Sequence, residues 1–142
     1  MAVTHFSGPI AVGSGSIINL AAATTLTGED SGKTFFLNLA GGFAVTLPAP
    51  SSGYRFKFIV KVAPTTAYTI VTNSSDRVII GGVNELEVDT SDDGPYDDDG
   101  DIITFVASTA LVGDWVDMIS DGTSWYITGQ TKADGGVTIA GS

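Results

Sequence analysis

The feature that most constrains the fold of this chain is its division into short strand-like segments by clusters of turn residues. Apolar and β-branched runs alternate along the whole sequence with groups of Gly, Pro, Ser and Asp. No segment of about ten or more residues combines a helical apolar repeat with capping residues. The pattern therefore predicts an all-β domain of about ten short strands, a β-sandwich, a jelly roll or a barrel.

The alternation along Tyr54–Lys61 gives the clearest single strand. Apolar side chains fall on one face of this segment and basic side chains on the other. The two sets are Phe56, Phe58 and Val60, and Arg55, Lys57 and Lys61. The other predicted strands are Ile17–Leu20, Thr34–Leu39, Phe43–Leu47, Tyr68–Thr72, Arg77–Ile80, Ile102–Ala107, Trp115–Ser120, Trp125–Gly129 and Val137–Ile139. For Val137–Ile139 the alternative is a loose C-terminal tail.

Two turn clusters predict hairpins. Ala40–Gly42 separates the strands Thr34–Leu39 and Phe43–Leu47, and Asp121–Ser124 separates the two tryptophan-led strands. Short Gly-containing connections of this kind commonly join antiparallel neighbours. We therefore expect each pair of strands to be adjacent in a sheet.

The length of 142 residues fits a single domain, at roughly 150 residues each. The first 16 residues are small and rich in Gly and Ser, which predicts an extended N-terminal arm, Met1–Ser16. Residues 17–142 then form one all-β domain. No apolar run reaches the roughly 18 residues of a membrane helix, and Met1–Pro9 lacks the features of a signal peptide.

The charge balance argues against a nucleic-acid role. Sixteen acids and six Lys or Arg give a formal net charge of −10. Such a chain repels phosphate backbones at long range. We predict no nucleic-acid partner and no membrane partner.

Catalysis has little support in the sequence. The chain has no cysteine, and its one histidine, His5, lies in the predicted arm, so no triad or thiolate metal site can be assembled elsewhere. Thr27–Thr34 ends in Gly-Lys-Thr like a phosphate-binding loop, but Thr27 occupies the position of the first glycine and a strand follows. We therefore predict a polar turn there, no enzyme and no cofactor.

Nine of the sixteen acids lie between Glu85 and Asp101. The second half of Glu85–Gly100 has almost no apolar residue, so we predict a long exposed loop. Asp97, Asp99 and Asp101 are weak candidates for a cation site, since hard cations prefer several oxygen ligands. The EF-hand spacing is absent, which favours a solvated acidic loop.

Aromatic and basic residues offer candidate contact positions. Trp115 and Trp125 flank the second hairpin and are expected to be cross-strand neighbours that pack in a core or an interface; stacking on sugars is the alternative. Arg55, Lys57 and Lys61 either pair with acids across the sheet or form a contact patch for an acidic partner. The sequence does not separate these alternatives.

Several stretches resemble a β-rich module of tailed-bacteriophage particle proteins. They are Met1–Pro9, Leu26–Thr34, Phe43–Pro50, Gly53–Val60 and Gly113–Gly129, which together cover most of residues 1–10 and 26–130. The Asp-rich segment falls outside the pattern. The resemblance is to capsid decoration (head cement) proteins, although the same module also occurs in tail-associated proteins.

This resemblance implies a structural protein on the outer surface of the virion. Such proteins bind the major capsid protein, usually as homotrimers at threefold or quasi-threefold positions, and stabilise its lattice. The arm is then expected to order on the capsid or on a neighbouring subunit by strand addition. Candidate capsid or subunit contacts are His5, Phe6, Pro9, Arg55, Lys57, Lys61, Trp115 and Trp125. The alternative is a tail-associated receptor-binding or carbohydrate-binding module.

Overall fold

The computed structural model describes residues 16–87 and 94–141, in which short strands form two mixed β-sheets that pack as a sandwich. The all-β prediction is confirmed. In chain order the strands are β1 (Ile17–Leu20), β2 (Thr24–Thr25), β3 (Thr34–Leu37), β4 (Ala44–Thr46), β5 (Arg55–Val60), β6 (Tyr68–Val71), β7 (Ile79–Gly82), β8 (Asn84–Glu85), β9 (Tyr96–Gly100), β10 (Ile102–Phe105), β11 (Trp115–Ser120), β12 (Trp125–Thr131) and β13 (Val137–Ala140).

The first six strands alternate between the two sheets, so that the chain winds around the sandwich as a superhelical coil. β1, β3 and β5 lie side by side and parallel in the larger sheet, while β2, β4 and β6 do the same in the smaller sheet. Each connection therefore crosses from one sheet to the other. Parallel neighbours require such crossovers, because a tight turn can only join antiparallel strands.

The predicted hairpin around Ala40–Gly42 is wrong, since β3 and β4 lie in different sheets. A turn does form, with the backbone N–H of Gly42 donating to the carbonyl of Leu39 at 2.9 Å. Gly42 has a φ of +67°, and a Cβ on it would lie 2.1 Å from the carbonyl oxygen of Thr66. This close approach, which only glycine permits, directs the chain across the sandwich instead of back along β3.

Later strands complete both sheets with mainly antiparallel neighbours. The larger sheet has the order β1-β3-β5-β11-β12-β7-β9, with β8 also beside β12, and the smaller has the order β13-β10-β6-β4-β2. The hairpin of β11 and β12 around Asp121–Ser124 is confirmed. The C-terminal strand predicted at Val137–Ile139 is confirmed as β13, which pairs with β10.

The long loop predicted at Glu85–Gly100 is wrong at both of its ends. Glu85 belongs to β8, and Tyr96–Gly100 forms β9, which pairs antiparallel with β7 along one edge of the larger sheet. Backbone pairing needs no apolar side chain, and acidic side chains are common on edge strands because they prevent pairing with other molecules. The low apolar content of β9 therefore reflects its position at the edge.

Large aromatic and aliphatic side chains from both sheets fill the interior. The ring centroids of Phe35 and Phe58 are 5.5 Å apart, as are those of Phe56 and Trp125. From the smaller sheet, the buried Tyr68 hydroxyl accepts the backbone N–H of Leu39 and donates to the carbonyl of Val62, at 3.0 and 2.8 Å. Burial raises the pKa of Tyr68, so its hydroxyl keeps its proton and stays a donor. The tyrosine thereby joins two crossovers of the coil.

Candidate binding face

The outward side of the larger sheet carries an apolar surface with basic side chains. In β5, β11 and β12 alternate residues are buried, so the intervening side chains point to solvent. We call this surface the binding face. Its three cross-strand rows are Ile59, Trp115 and Gln130; Lys57, Asp117 and Thr128; and Arg55, Ile119 and Tyr126.

Two large apolar side chains are exposed next to each other on this face. Ile119 is 41% exposed and Tyr126 is 44% exposed, and they are direct cross-strand partners. Exposed apolar groups scattered singly are normal on any protein, but a contiguous group on one flat sheet is typical of an interaction surface. The face can therefore bury apolar area against a partner.

The basic residues on and beside this face differ in their contacts from the other cations. The salt bridges Lys33–Asp30 and Arg77–Asp99 of the described residues do not involve Arg55, Lys57 or Lys61. Lys57 is the register partner of Asp117 but has its ammonium 4.6 Å from the centroid of the Trp115 ring, and Lys61 donates to the Asn19 side chain at 2.8 Å. Of the two sequence-based alternatives, the geometry favours the contact patch over cross-sheet ion pairs.

The two tryptophans occupy different environments, and the prediction that they are cross-strand neighbours is wrong. Trp115 lies opposite Gln130, whereas Trp125 lies opposite Ser120 at the other end of the hairpin. Trp125 is the first of the β12 residues whose side chains point into the core, and it is completely buried. It therefore cannot contact a partner or a sugar, and its assignment as a contact candidate was wrong. Trp115 lies half-buried on the binding face.

A groove adjoins the Trp115 end of the binding face and was not predicted from the sequence. One pocket of about 510 Å³ is lined by Leu86, Glu87, Leu111, Lys132 and Ala133. A smaller one of about 190 Å³ shares Leu86 and Lys132 with it and reaches Val112 and Trp115. Val112 is 66% exposed and Leu86 57%. The sequence signal for this groove was the apolar pair Leu111-Val112 before Gly113. The signal is ambiguous, because a short apolar pair is equally compatible with a buried turn.

The acidic residues of β9 form a cluster at the edge of the larger sheet. One carboxylate oxygen from each of Asp97, Asp98 and Asp99 lies within 4.8 Å of the others. The backbone N–H of Asp99 donates to Asp97 at 3.0 Å and lowers the pKa of Asp97, while Arg77 pairs with Asp99 at 2.9 Å. Edge protection accounts for three acids on an outer strand, so the cluster alone does not identify a cation site.

Asp101 is not part of that cluster, which corrects its grouping with Asp97 and Asp99 as candidate cation ligands. Its side chain is buried at 1% exposure, where its carboxylate accepts the backbone N–H of Arg77 and the Thr72 hydroxyl. The buried carboxylate links β6 to the segment before β7. It is a structural residue of the interior.

The Gly-Lys-Thr segment has no phosphate-binding geometry. Gly28–Asp30 forms a single 3-10 turn in which Asp30 accepts the backbone N–H of Thr27 and the Lys33 ammonium, at 3.0 and 2.8 Å. The next element is strand β3. Because a phosphate-binding loop requires a following helix N-terminus, the prediction of a polar turn before a strand is confirmed.

The remaining predicted contact residues, His5, Phe6 and Pro9, lie outside the described residues, as does the arm up to residue 15. The part of the chain that the structure describes holds no helix of the length and hydropathy needed to cross a membrane. In comparisons with known proteins, no family model, no curated protein and no solved structure matches this chain.

Proposed function

We propose that this protein is a structural virion protein that binds the outer surface of a tailed-phage capsid and stabilises the lattice of the major capsid protein. It acts as a homotrimer at threefold or quasi-threefold positions. The observation that carries the proposal is the binding face, with Ile119, Tyr126 and Trp115 beside Arg55 and Lys57. It has the aromatic and arginine content typical of interface cores.

The charge distribution supports a basic contact patch on an otherwise acidic molecule. The chain carries a net charge of −10, yet the nine residues of the binding face include two bases and one acid, Asp117. Opposite charges on the partner would orient the encounter, and the apolar side chains would supply the buried area. Many copies on a symmetric lattice would then hold neighbouring capsid subunits together through multivalent attachment.

The first experiment is quantitative mass spectrometry of purified virions of the phage that encodes this sequence. A copy number equal to that of the major capsid protein, or a fixed simple fraction of it, is expected for a decoration protein. A few copies per particle would contradict the proposal and favour a tail location. Absence from the virion would contradict both.

A second test addresses the binding face directly. Lys57→Gln and Arg77→Gln each remove one positive charge, but Arg77 lies away from the face and pairs with Asp99. We expect Lys57→Gln to weaken binding to decoration-free capsids and to reduce its salt dependence, while Arg77→Gln binds like the parent. Equal effects of the two variants would contradict the assignment of the face.

The second candidate is a tail-associated receptor-binding or carbohydrate-binding module, favoured by the exposed ring of Tyr126 and the half-buried ring of Trp115 on the same face. Such modules stack sugars on exposed aromatic rings in shallow grooves. A glycan array with a reproducible ligand, lost on Trp115→Ala, would support it. Trp125 cannot serve in this test because its ring is buried.

A further inference from the structure

β1 is an edge strand of the larger sheet and offers backbone groups for a further strand. Among the described residues its one neighbour is β3. The carbonyl of Leu20 accepts the backbone N–H of Asn38 at 2.8 Å, so the backbone groups of Leu20, and of Ile18 two residues before it, face β3. The N–H and C=O groups of Ile17 and Asn19 therefore point away from β3. They form a short template onto which another extended segment can add.

The other edges of the two sheets are protected, and β1 is not. β9, the opposite edge of the larger sheet, carries Asp97, Asp98 and Asp99. β13, at one edge of the smaller sheet, packs against β9, where a Cβ on Gly100 would lie 2.8 Å from Cγ2 of Ile139. β2, at the other edge, has only two residues. β1 has four residues, and their sequence Ile-Ile-Asn-Leu contains neither the charge nor the proline that natural edge strands use against pairing.

Apolar side chains at this edge are incompletely covered. Ile18 packs against the core cluster but stays partly exposed, whereas Leu20, which also points inward, is buried. Ile17, on the outward side of the strand, is 50% exposed. A strand beside β1 would cover Ile17 and Ile18, so its backbone hydrogen bonds would be accompanied by the burial of apolar area.

The N-terminal arm, Met1–Ser16, suits this edge in its charge and composition. It contains no Asp, Glu, Lys or Arg, and the first acidic or basic residue after it is Glu29. Because each copy carries a net charge of −10, an uncharged arm approaches another copy without the repulsion that an acidic segment would meet. Val3–Phe6 and Ile10–Val12 supply β-branched and aromatic residues, which strands favour.

The arm is also long enough to leave its own domain. Fifteen residues precede Ser16, and the chain then enters β1. An extended segment of that length spans roughly 50 Å, and a folded chain of this size is roughly 40 Å across. The arm can therefore reach the β1 edge of a neighbouring copy. Antiparallel pairing with its own β1 would instead require the chain to reverse its direction just before Ser16.

We propose that the β1 edge binds the N-terminal arm of a second copy of this chain, which adds as a strand beside β1. The contact is heterologous, since the arm of one copy meets the edge of the next. Three copies can therefore close into a ring in which each gives one arm and receives one. The inference rests on the proposed homotrimer and deepens it by naming the subunit contact. It leaves the binding face on β5, β11 and β12 free for the capsid.

The first test is sedimentation velocity on the full chain with Asn19→Pro and its matched control Asn19→Ala. Both variants lose the side-chain contact with Lys61, but only proline lacks the backbone N–H that faces the open edge. We expect the parent and Asn19→Ala to sediment at three times the chain mass of 14.6 kDa. Asn19→Pro should associate at least about tenfold more weakly. A monomeric parent, or unchanged association of Asn19→Pro, would overturn the inference.

Cross-linking keeps the proposal testable if Asn19→Pro fails to fold. The chain has no cysteine, so an arm variant, Val3→Cys or Ala11→Cys, and the edge variant Ile17→Cys each introduce a single thiol. Arm and edge variants with different tags are co-expressed and treated with a flexible bis-maleimide. We expect a product that joins the two tags. Tyr96→Cys replaces Ile17→Cys as the control and should give none, because Tyr96 is 71% exposed but lies on β9 at the opposite edge.

A chain with both an arm thiol and the Ile17→Cys thiol distinguishes the source of the arm. A product within one chain, without one between the two tags, would mean that the arm folds back on its own β1, which overturns the inference. Absence of any product from both arm positions, or equal products with Tyr96→Cys, would overturn it as well.

The copy number in virions is measured separately, so the inference and the proposed function can fail independently. A parent that is abundant on capsids but gives no cross-link between chains overturns the inference and leaves the capsid-binding function standing. A parent that exchanges arms but is absent from virions overturns the function and leaves the contact standing. A trimer that Asn19→Pro does not weaken places the subunit contact elsewhere and overturns the inference.

Discussion

The ammonium group of Lys57 lies 4.6 Å from the centroid of the Trp115 ring, across the β5–β11 pair on the outward side of the larger sheet. This cation–π contact holds the lysine over the ring without neutralising it, whereas an ion pair with the neighbouring Asp117 would have cancelled its charge. The arrangement keeps an aromatic surface and a positive charge together at one position.

Trp115 is therefore expected to be an energetic centre of the binding face. Replacing Trp115 with Ala should weaken capsid binding by about tenfold or more, because it removes the largest aromatic contact of the face. The measurement is co-sedimentation with decoration-free capsids over a concentration series. Thr128→Ala, on the same face, is the control and should bind as the parent does. Equal binding of Trp115→Ala and the parent would contradict this role.

The N-terminal segment provides the second prediction. Deleting Ala2–Ser14 should abolish capsid binding but leave the fold intact, because the strands and the buried core cluster of the described residues, from Ile17 and Leu20 onward, lie outside the deletion. Circular dichroism and the melting temperature report the fold, and co-sedimentation reports binding. Full binding by the shortened protein would exclude a role for this segment.

The third prediction concerns the acidic edge strand. Replacing Asp97, Asp98 and Asp99 with Asn should leave capsid binding unchanged, because these residues lie on β9 at the sheet edge and not on the binding face. Calcium should not raise the melting temperature of the parent through this cluster. A calcium-dependent rise that the triple variant loses would instead identify a cation site.

The strand positions and the inward and outward phases were largely predictable from the sequence. The period of two in Tyr54–Lys61 predicted which side chains of β5 are buried, since alternation directly encodes the two faces of a half-buried strand. Trp125 was misjudged as a contact residue although the predicted strand and β12 both begin at it. The strand start alone does not say which of its two faces packs on the core, and the structure puts Trp125 on the buried face with Ile127.

The sheet order was not predictable from the linear pattern. A tight turn such as Ala40–Gly42 looks the same whether the chain returns along β3 or crosses to the other sheet. The choice depends on the long-range approach of Gly42 to the Thr66 carbonyl.

The fourth prediction concerns Asp114, whose buried carboxylate holds a turn against the end of β12. Its two oxygens accept the backbone N–H groups of Leu111 and Lys132 and the Thr131 hydroxyl, at 2.8, 3.0 and 2.9 Å. Asp114→Ala removes the acceptor of three donors, of which the Thr131 hydroxyl is buried, and should lower the free energy of unfolding by about 2 kcal/mol. Urea denaturation measures the loss.

The control for Asp114 is Asp117→Ala, which removes an outward carboxylate from β11. We expect it to change the free energy of unfolding by no more than about 0.5 kcal/mol. Similar losses for the two variants would contradict the assigned role of Asp114.

The fifth prediction follows from Asp30. The Lys33 ammonium, and secondly the backbone N–H of Thr27, lower the pKa of Asp30 below its ordinary value of 3.8. Because the pKa is lower in the folded state, the carboxylate stabilises the fold above pH 3.8, and this contribution is lost as the pH falls through the folded-state pKa.

Asp30→Asn should thus reduce the free energy of unfolding at pH 7 by at most about 1 kcal/mol, since the pair is partly exposed and screened. The difference between parent and variant, from urea denaturation at several pH values, should stay constant above pH 5 and shrink in more acidic solution. A difference that grows toward acid pH would contradict the assignment.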